Sequence, residues 1–172
     1  MHSIGNAHEA QTIAKWVRSF KRECGRPLCV IHAQAPEGWE FLAAGSFRSV
    51  WLSPSGIAYK VSHRDNDQYQ SEEEVIHLGR AWSRGVPEGC RLPKFEKYIT
   101  EDDELVVAIE RIKGRTLYEH CYRGGSGRCS PSGQDYYDLL GEIKNDLRLN
   151  DLHDENAMVD EDGLLVPVDF GG

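Results

Sequence analysis

Three side chains with oxygen ligands, Asp151, Asn156 and Asp169, stand on either side of the turn signal Asp160-Glu161-Asp162-Gly163. The apolar runs Ala157 to Val159 and Leu164 to Val168 flank that turn, a pattern that predicts a β-hairpin. Because a hairpin returns the chain to where it began, Asn156 and Asp169 are expected side by side at its open end, with Asp151 close by in the loop upstream. Carboxylate and amide oxygens gathered in this way suit a hard cation. Magnesium takes one or two protein oxygens and completes its shell with phosphate and water, so the arrangement fits a metal-nucleotide better than a bare metal. Asp, Asn and Gly are also what ordinary turns are made of, so on these residues alone a plain loop stays open.

The elements that must position these groups are legible upstream. After Asn6, with Glu9 three residues on as in a capping box, Ile13, Trp16, Val17 and Phe20 mark one face of a helix ending near Gly25 and Pro27. A short strand is expected at Leu28 to Ile31 and a turn at Ala35 to Trp39. Three β-like runs follow, EFLAAG, SVWLS and GIAYKVS, the last two joined by the turn Ser53 to Gly56. SEEEVIHLGRAW, Ser71 to Trp82, reads as a helix with Val75, Leu78, Gly79 and Trp82 inward, and Ser71 with Glu74 as its capping box. Leu105 to Ile109 reads as a buried strand, and Tyr122 to Gly133 as a Gly/Ser-rich loop. A second amphipathic helix, with Tyr136, Leu140, Ile143 and Leu147 on one face, leads into the hairpin. That order predicts an α+β fold.

Composition bounds the function. The 172 residues are 40% apolar and 28% charged, near the averages for globular proteins. The formal charge of −8 argues against a surface built mainly for nucleic acid. The basic run Lys15, Arg18, Lys21 and Arg22 reads as a solvated helix face. Five scattered cysteines with no C-x-x-C pair suggest reduced thiols rather than a disulfide framework or a zinc site. No run approaches the ~20 apolar residues of a membrane span, and MHSIGNAHEA lacks the regions of a signal peptide. A cytoplasmic protein is expected, in the cytosol of its own cell or of a host cell.

Asp151-Leu152-His153-Asp154-Glu155-Asn156 resembles the D-L-x-x-x-N of the protein-kinase catalytic loop, and Asp169-Phe170-Gly171 resembles D-F-G. Upstream, Leu42 to Val50 is similar to a nucleotide-binding loop, with Gly45, Phe47 and Val50 in register. Ala58-Tyr59-Lys60 resembles the A-x-K of the third strand. Glu72, Glu73 and Glu74 compete as the helix carboxylate, Glu72 first by its place on the face read as inward and about even with Glu73. Val106 to Leu117 resembles the hinge, with Ile109 as gatekeeper and Glu110 to Ile112 offering backbone groups to adenine. The resemblance, to a minimal form of the protein kinase-like superfamily, spans roughly Phe41 to Gly172. The Asp151-Leu152-His153 run is also similar to aminoglycoside phosphotransferase-like kinases, and the short plan to bacterial effector kinases and to kinase domains of phage and mobile-element polyvalent proteins.

The resemblance implies an N-terminal helical extension (1–39), a sheet-based N-lobe (40–112) and a strongly reduced C-lobe (113–172), since the printed sequence stops without an A-P-E segment. It implies ATP and Mg2+ as cofactors and a protein as substrate or partner, with neither membrane nor nucleic acid. Gly45, Ser46 and Phe47 would cover the phosphates, and Val50, Ile109, Glu110 and Ile112 would surround the base. Lys60 would hold phosphates with Glu72 or Glu73 fixing it, and Asn156 and Asp169 would hold magnesium. Asp151 would orient the acceptor hydroxyl and His153 would contact the transferring phosphate. Leu149 and Asn150 replace the histidine and arginine usual before the catalytic aspartate, so control by a phosphorylated activation loop is not expected. The alternatives are a pseudokinase that binds nucleotide or a partner without turnover and, further off, an unrelated α+β binding domain.

Overall fold

The computed structural model describes residues 3–24, 35–63, 67–123, 135–149 and 152–169. The fold is α+β, built on antiparallel sheets and several helices. The chain divides into two compact units, Met1–Glu72 with Lys94–Arg111, and Glu73–Pro93 with Ile112–Gly172.

In the first unit, helix α1 (Ala7–Cys24) starts where the Asn6 side chain predicts, with Asn6 Oδ1 accepting the Glu9 N–H at 2.7 Å. The Glu9 carboxylate does not close the capping box. Its Oε2 accepts instead from the Tyr59 hydroxyl at 2.9 Å and the Ser55 hydroxyl at 2.7 Å, while the Asn6 N–H donates to the Tyr59 hydroxyl at 3.0 Å. The helix start is thereby tied to the sheet. Burial and the Glu9 carboxylate raise the pKa of Tyr59, which keeps its hydroxyl a donor.

Five strands, β1 (Glu40–Ala44), β2 (Arg48–Leu52), β3 (Ile57–Ser62), β4 (Phe95–Ile99) and β5 (Leu105–Glu110), pair antiparallel in the order β1-β2-β3-β5-β4. The expected turn between β2 and β3 is present: the Gly56 N–H donates to the Ser53 carbonyl at 2.9 Å, with Gly56 at a φ of 83° that favours glycine. Ala10, Ile13, Ala14 and Val17 on α1 pack with Trp51, Tyr59, Val61, Val106 and Ala108 into one buried cluster. The helix expected as an N-terminal extension is therefore part of this unit's core. Lys15 pairs with Glu101 at 2.9 Å and Arg18 Nε with the buried Glu104 at 2.6 Å, so these members of the basic run face carboxylates. β4 escaped the sequence reading because Phe95, Glu96, Lys97 and Tyr98 carry the mixed polarity of an edge strand. The strand expected at Leu28 to Ile31 lies outside the described residues.

Helix α2 (Gln68–Arg84) begins three residues before the expected start. Its fully buried positions are Ser71, Glu74, Leu78 and Ala81, spaced three, four and three, whereas Trp82 is 48% exposed. This corrects the predicted face by about one residue. Ser71 is no cap either: its hydroxyl lies 3.4 Å from that of Ser62 inside the first unit.

In the second unit, β6 (Gly114–Thr116), β7 (Ala157–Asp160) and β8 (Leu165–Pro167) form a three-stranded antiparallel sheet beside α3 (Leu117–Arg123) and α4 (Tyr136–Leu147). α4 is capped by Asp135, whose side chain accepts the Tyr137 N–H. It buries Tyr136, Leu139, Leu140, Ile143 and Leu147, and the Tyr136 hydroxyl donates to the Gly163 carbonyl of the hairpin turn at 2.7 Å. α3 and β6 were not foreseen, and Tyr122, assigned to the loop, belongs to α3; the rest of the Tyr122–Gly133 segment, apart from Arg123 at the end of α3, lies outside the described residues. Gly114 has a steric reason: a Cβ there would collide with the Val159 carbonyl and lie 2.9 Å from Asp160 Cα.

Candidate functional site

In the first unit the sheet register does the positioning. Val50 pairs with Lys60, Lys60 with Val107, and Ala58 with Ile109. Trp51, Tyr59, Val61 and Ala108 belong to the cluster with α1, so by the two-residue period of a strand Val50, Ala58, Lys60, Val107 and Ile109 lie on the opposite face. Three predicted residues, Val50, Lys60 and Ile109, thus share one patch. Lys60 is only 5% exposed, with apolar residues beside it on both neighbouring strands.

Gly45, Ser46 and Phe47 form the connection between β1 and β2. The Gly45 N–H donates to the Arg48 carbonyl at 2.9 Å, and the Phe47 carbonyl accepts from the His63 N–H at 2.7 Å. All three residues are exposed, and a Cβ added at Gly45 would meet nothing within 4 Å. Phe47 meets Tyr69 edge to face at 6.0 Å. The glycine is therefore not demanded by the fold here, and an open approach to the backbone is what a phosphate would use. At the hinge-like strand end, the Glu110 N–H donates to the Lys94 carbonyl at 2.9 Å, and Glu110 Oε2 accepts the Lys94 N–H at 3.0 Å. The amide of Glu110 is thus committed to the chain's own fold.

In the second unit the closing hairpin has the expected form. β7 and β8 pair Ala157 with Pro167 and Val159 with Leu165, and the Val168 N–H donates to the Asn156 carbonyl at 2.9 Å. Asn156 is thereby set next to the strand end that leads into Asp169, and both are half-buried. The turn is held by Asp160, whose Oδ1 accepts from the Asp162 and Leu164 amides at 3.0 and 2.9 Å and whose Oδ2 accepts from Arg91 Nε at 2.6 Å. Burial pushes the Asp160 pKa up, but the hydrogen bonds from Arg91 and the two amides outweigh it and hold the carboxyl below its usual value.

Ahead of β7, Leu149 and Leu152 are buried. His153 is exposed, its Nδ1 accepting the Glu155 N–H at 3.3 Å and its carbonyl accepting the Asn156 N–H at 2.9 Å. Asp154 is held from two helices: its carbonyl accepts the Tyr118 N–H at 3.1 Å and its carboxylate accepts from the Tyr137 hydroxyl at 3.2 Å. Burial and this carboxylate raise the pKa of Tyr137. Asp151, Phe170 and Gly171 lie outside the described residues. Ile112 is buried in this unit.

Of the three competing glutamates, Glu72 and Glu73 are exposed and Glu74 is fully buried. Pointing inward, the property that put Glu72 first, belongs to Glu74. The spacing of Ser71, Glu74, Leu78 and Ala81 carried this signal, but polar residues at two of the four positions hid it. The Asp160–Arg91 pair also escaped, since 69 residues separate its partners.

Among the described residues no group of three or more His, Cys, Asp and Glu side chains could hold a metal ion, and no helix is long and apolar enough to cross a membrane. Cys90 is a free thiol, and burial, with Glu142 nearby, pushes it up to about 11, which keeps it protonated and a poor nucleophile. Asn156 and Asp169 together offer an amide and a carboxylate oxygen, a donor set that fits magnesium when phosphate supplies further ligands. Neither a protein-family model nor a curated protein matches the chain.

Proposed function

We propose that this chain is a minimal protein kinase-like phosphotransferase that moves the γ-phosphate of ATP to a hydroxyl acceptor. The observation that carries the reading is the closing hairpin, whose Val168 to Asn156 hydrogen bond sets Asn156 beside the approach to Asp169. The shared sheet face of Val50, Lys60 and Ile109 supports it independently.

In this reading catalysis is mainly positioning and charge neutralisation, the terms that dominate phosphoryl transfer. Lys60 binds nucleotide phosphates from an apolar sheet face, where its charge is poorly screened and so acts more strongly. Gly45 to Phe47 cover the phosphates, and Val50 and Ile109 contribute apolar surface for the base. The helix carboxylate of this reading is Glu74 rather than Glu72 or Glu73. Asn156 and Asp169 would hold Mg2+, which supplies positive charge to the phosphates when bound. Asp151 orients the acceptor hydroxyl, and His153, exposed on the same loop, is available to the transferring group.

The test is incubation with labelled ATP and Mg2+, alone and with generic acceptor proteins, beside Lys60→Ala and Asp169→Ala. Label transfer by the wild type that both substitutions abolish is the expected result. Nucleotide-dependent thermal stabilisation without transfer would replace the enzyme with a nucleotide-binding pseudokinase. Absence of both would end the kinase-like reading.

A further inference from the structure

An open pocket of about 340 Å³ in the second unit is lined by Arg80, Arg84, Arg148 and Leu147. Three guanidinium groups around one hollow are unexpected in a chain of net charge −8. Arg80 and Arg84 stand one turn apart on α2, a spacing at which like charges repel. Arg148 follows the last residue of α4. All three arginines are exposed, while Leu147 is buried as an apolar floor. Arg84 has a structural task as well, since its Nη1 donates to the Asp146 carbonyl at the end of α4 at 2.9 Å. That bond uses one of the five N–H donors of a guanidinium.

Arg148 supplies the second, independent observation. It caps α4 in the left-handed conformation, at φ 56° and ψ 43°. Glycine, or less often asparagine, is the residue that fits this position without strain, and a long side chain there works against the backbone. An arginine placed at a backbone cost, converging with two more arginines that repel each other, is explained by an anion that answers all three.

We propose that this pocket is a binding site for a phosphate monoester, its tetrahedral dianion held by Arg80, Arg84 and Arg148 and the attached organic group lying over Leu147. Planar guanidinium forks bind oxygens in pairs, and a phosphate monoester brings three terminal oxygens to three arginines where a carboxylate brings two. The volume exceeds what a bare phosphate needs, so the site takes a phosphate on a larger body. It is independent of the nucleotide-binding residues proposed above.

The test is calorimetric titration of the full chain with inorganic phosphate, a serine-phosphorylated peptide and the same peptide unphosphorylated. Saturable one-to-one binding of the phosphorylated peptide is expected, weakened at least tenfold in both Arg80→Gln and Arg148→Gly and unchanged in Lys60→Ala. Because glycine suits the left-handed backbone, Arg148→Gly should melt no lower than the wild type, so its loss of binding would not reflect unfolding. Tighter binding of the phosphorylated peptide than of inorganic phosphate supports the monoester, and equal affinity for inorganic phosphate overturns it. The site is disproved by equal binding of the two peptides, by arginine variants that keep full affinity, by the absence of saturable binding, or by loss in Lys60→Ala alone.

Discussion

Asp160 is where a single side chain does the most identifiable structural work in the second unit. Its two oxygens answer two turn amides and one guanidinium, so its carboxylate form is the folded form. Asp160→Asn is expected to destabilise the protein by about 1–3 kcal/mol at neutral pH, the usual cost of disturbing a buried charged hydrogen-bond group, measured by urea denaturation. The folded pKa is depressed, so this stabilisation is complete above the unfolded value of about 3.9 and is lost as pH falls through the lower folded value. The difference between wild type and variant should therefore shrink as the solution is acidified below about pH 4. Gly45 gives the opposite case. A methyl group there meets open space, so Gly45→Ala should change stability by less than about 0.5 kcal/mol while reducing nucleotide-induced thermal stabilisation. A variant with an unaltered nucleotide response would remove Gly45 from the proposed phosphate loop.

Among the elements, β6 shows how little length is needed when the backbone is specified. Gly114 lets this three-residue strand lie against β7, with Gly114 opposite Asp160 and Thr116 opposite Met158. Gly114→Ala sets its new methyl group against backbone rather than against a movable side chain. We expect a loss of about 2 kcal/mol or more by denaturant midpoint, with hydrogen-exchange protection falling first in β6 and β7. Helix α1 makes the complementary point for the first unit. Ile13 is fully buried in the cluster that contains Trp51, Tyr59 and Val106, so Ile13→Ala should cost about 2–4 kcal/mol, as a core truncation does and a solvent-bridging extension would not.

Over the whole molecule, the net charge of −8 coexists with locally different charge environments. Lys15 and Arg18 are matched to Glu101 and Glu104, while Arg80, Arg84 and Arg148 share a pocket. The net charge is negative, and the sequence pI is about 5.4. Solubility at low salt should pass through a minimum near that pH and recover on either side, as turbidity measurements would record.

The sequence by itself determined the local elements with strong periodicity: α1, the β2–β3 hairpin, α4 and the closing hairpin. Each is specified by neighbours in the chain, through a 3.6- or 2-residue apolar period and a turn residue with the right backbone freedom. Adjacency of Asn156 to the Asp169 end followed for the same reason, because both belong to one hairpin. Only the tertiary structure decided the rest. Which glutamate of Glu72, Glu73 and Glu74 is buried depends on where α2 starts and how it is rotated, and a shift of one residue turns a helix by about 100°. The edge strand β4 and the short β6 carry too little apolar pattern to announce themselves and exist because a partner strand completes their hydrogen bonds. Lys60's burial, the Arg91–Asp160 pair and the three-arginine pocket join residues far apart in sequence, and no local pattern encodes a contact whose other half lies dozens of residues away.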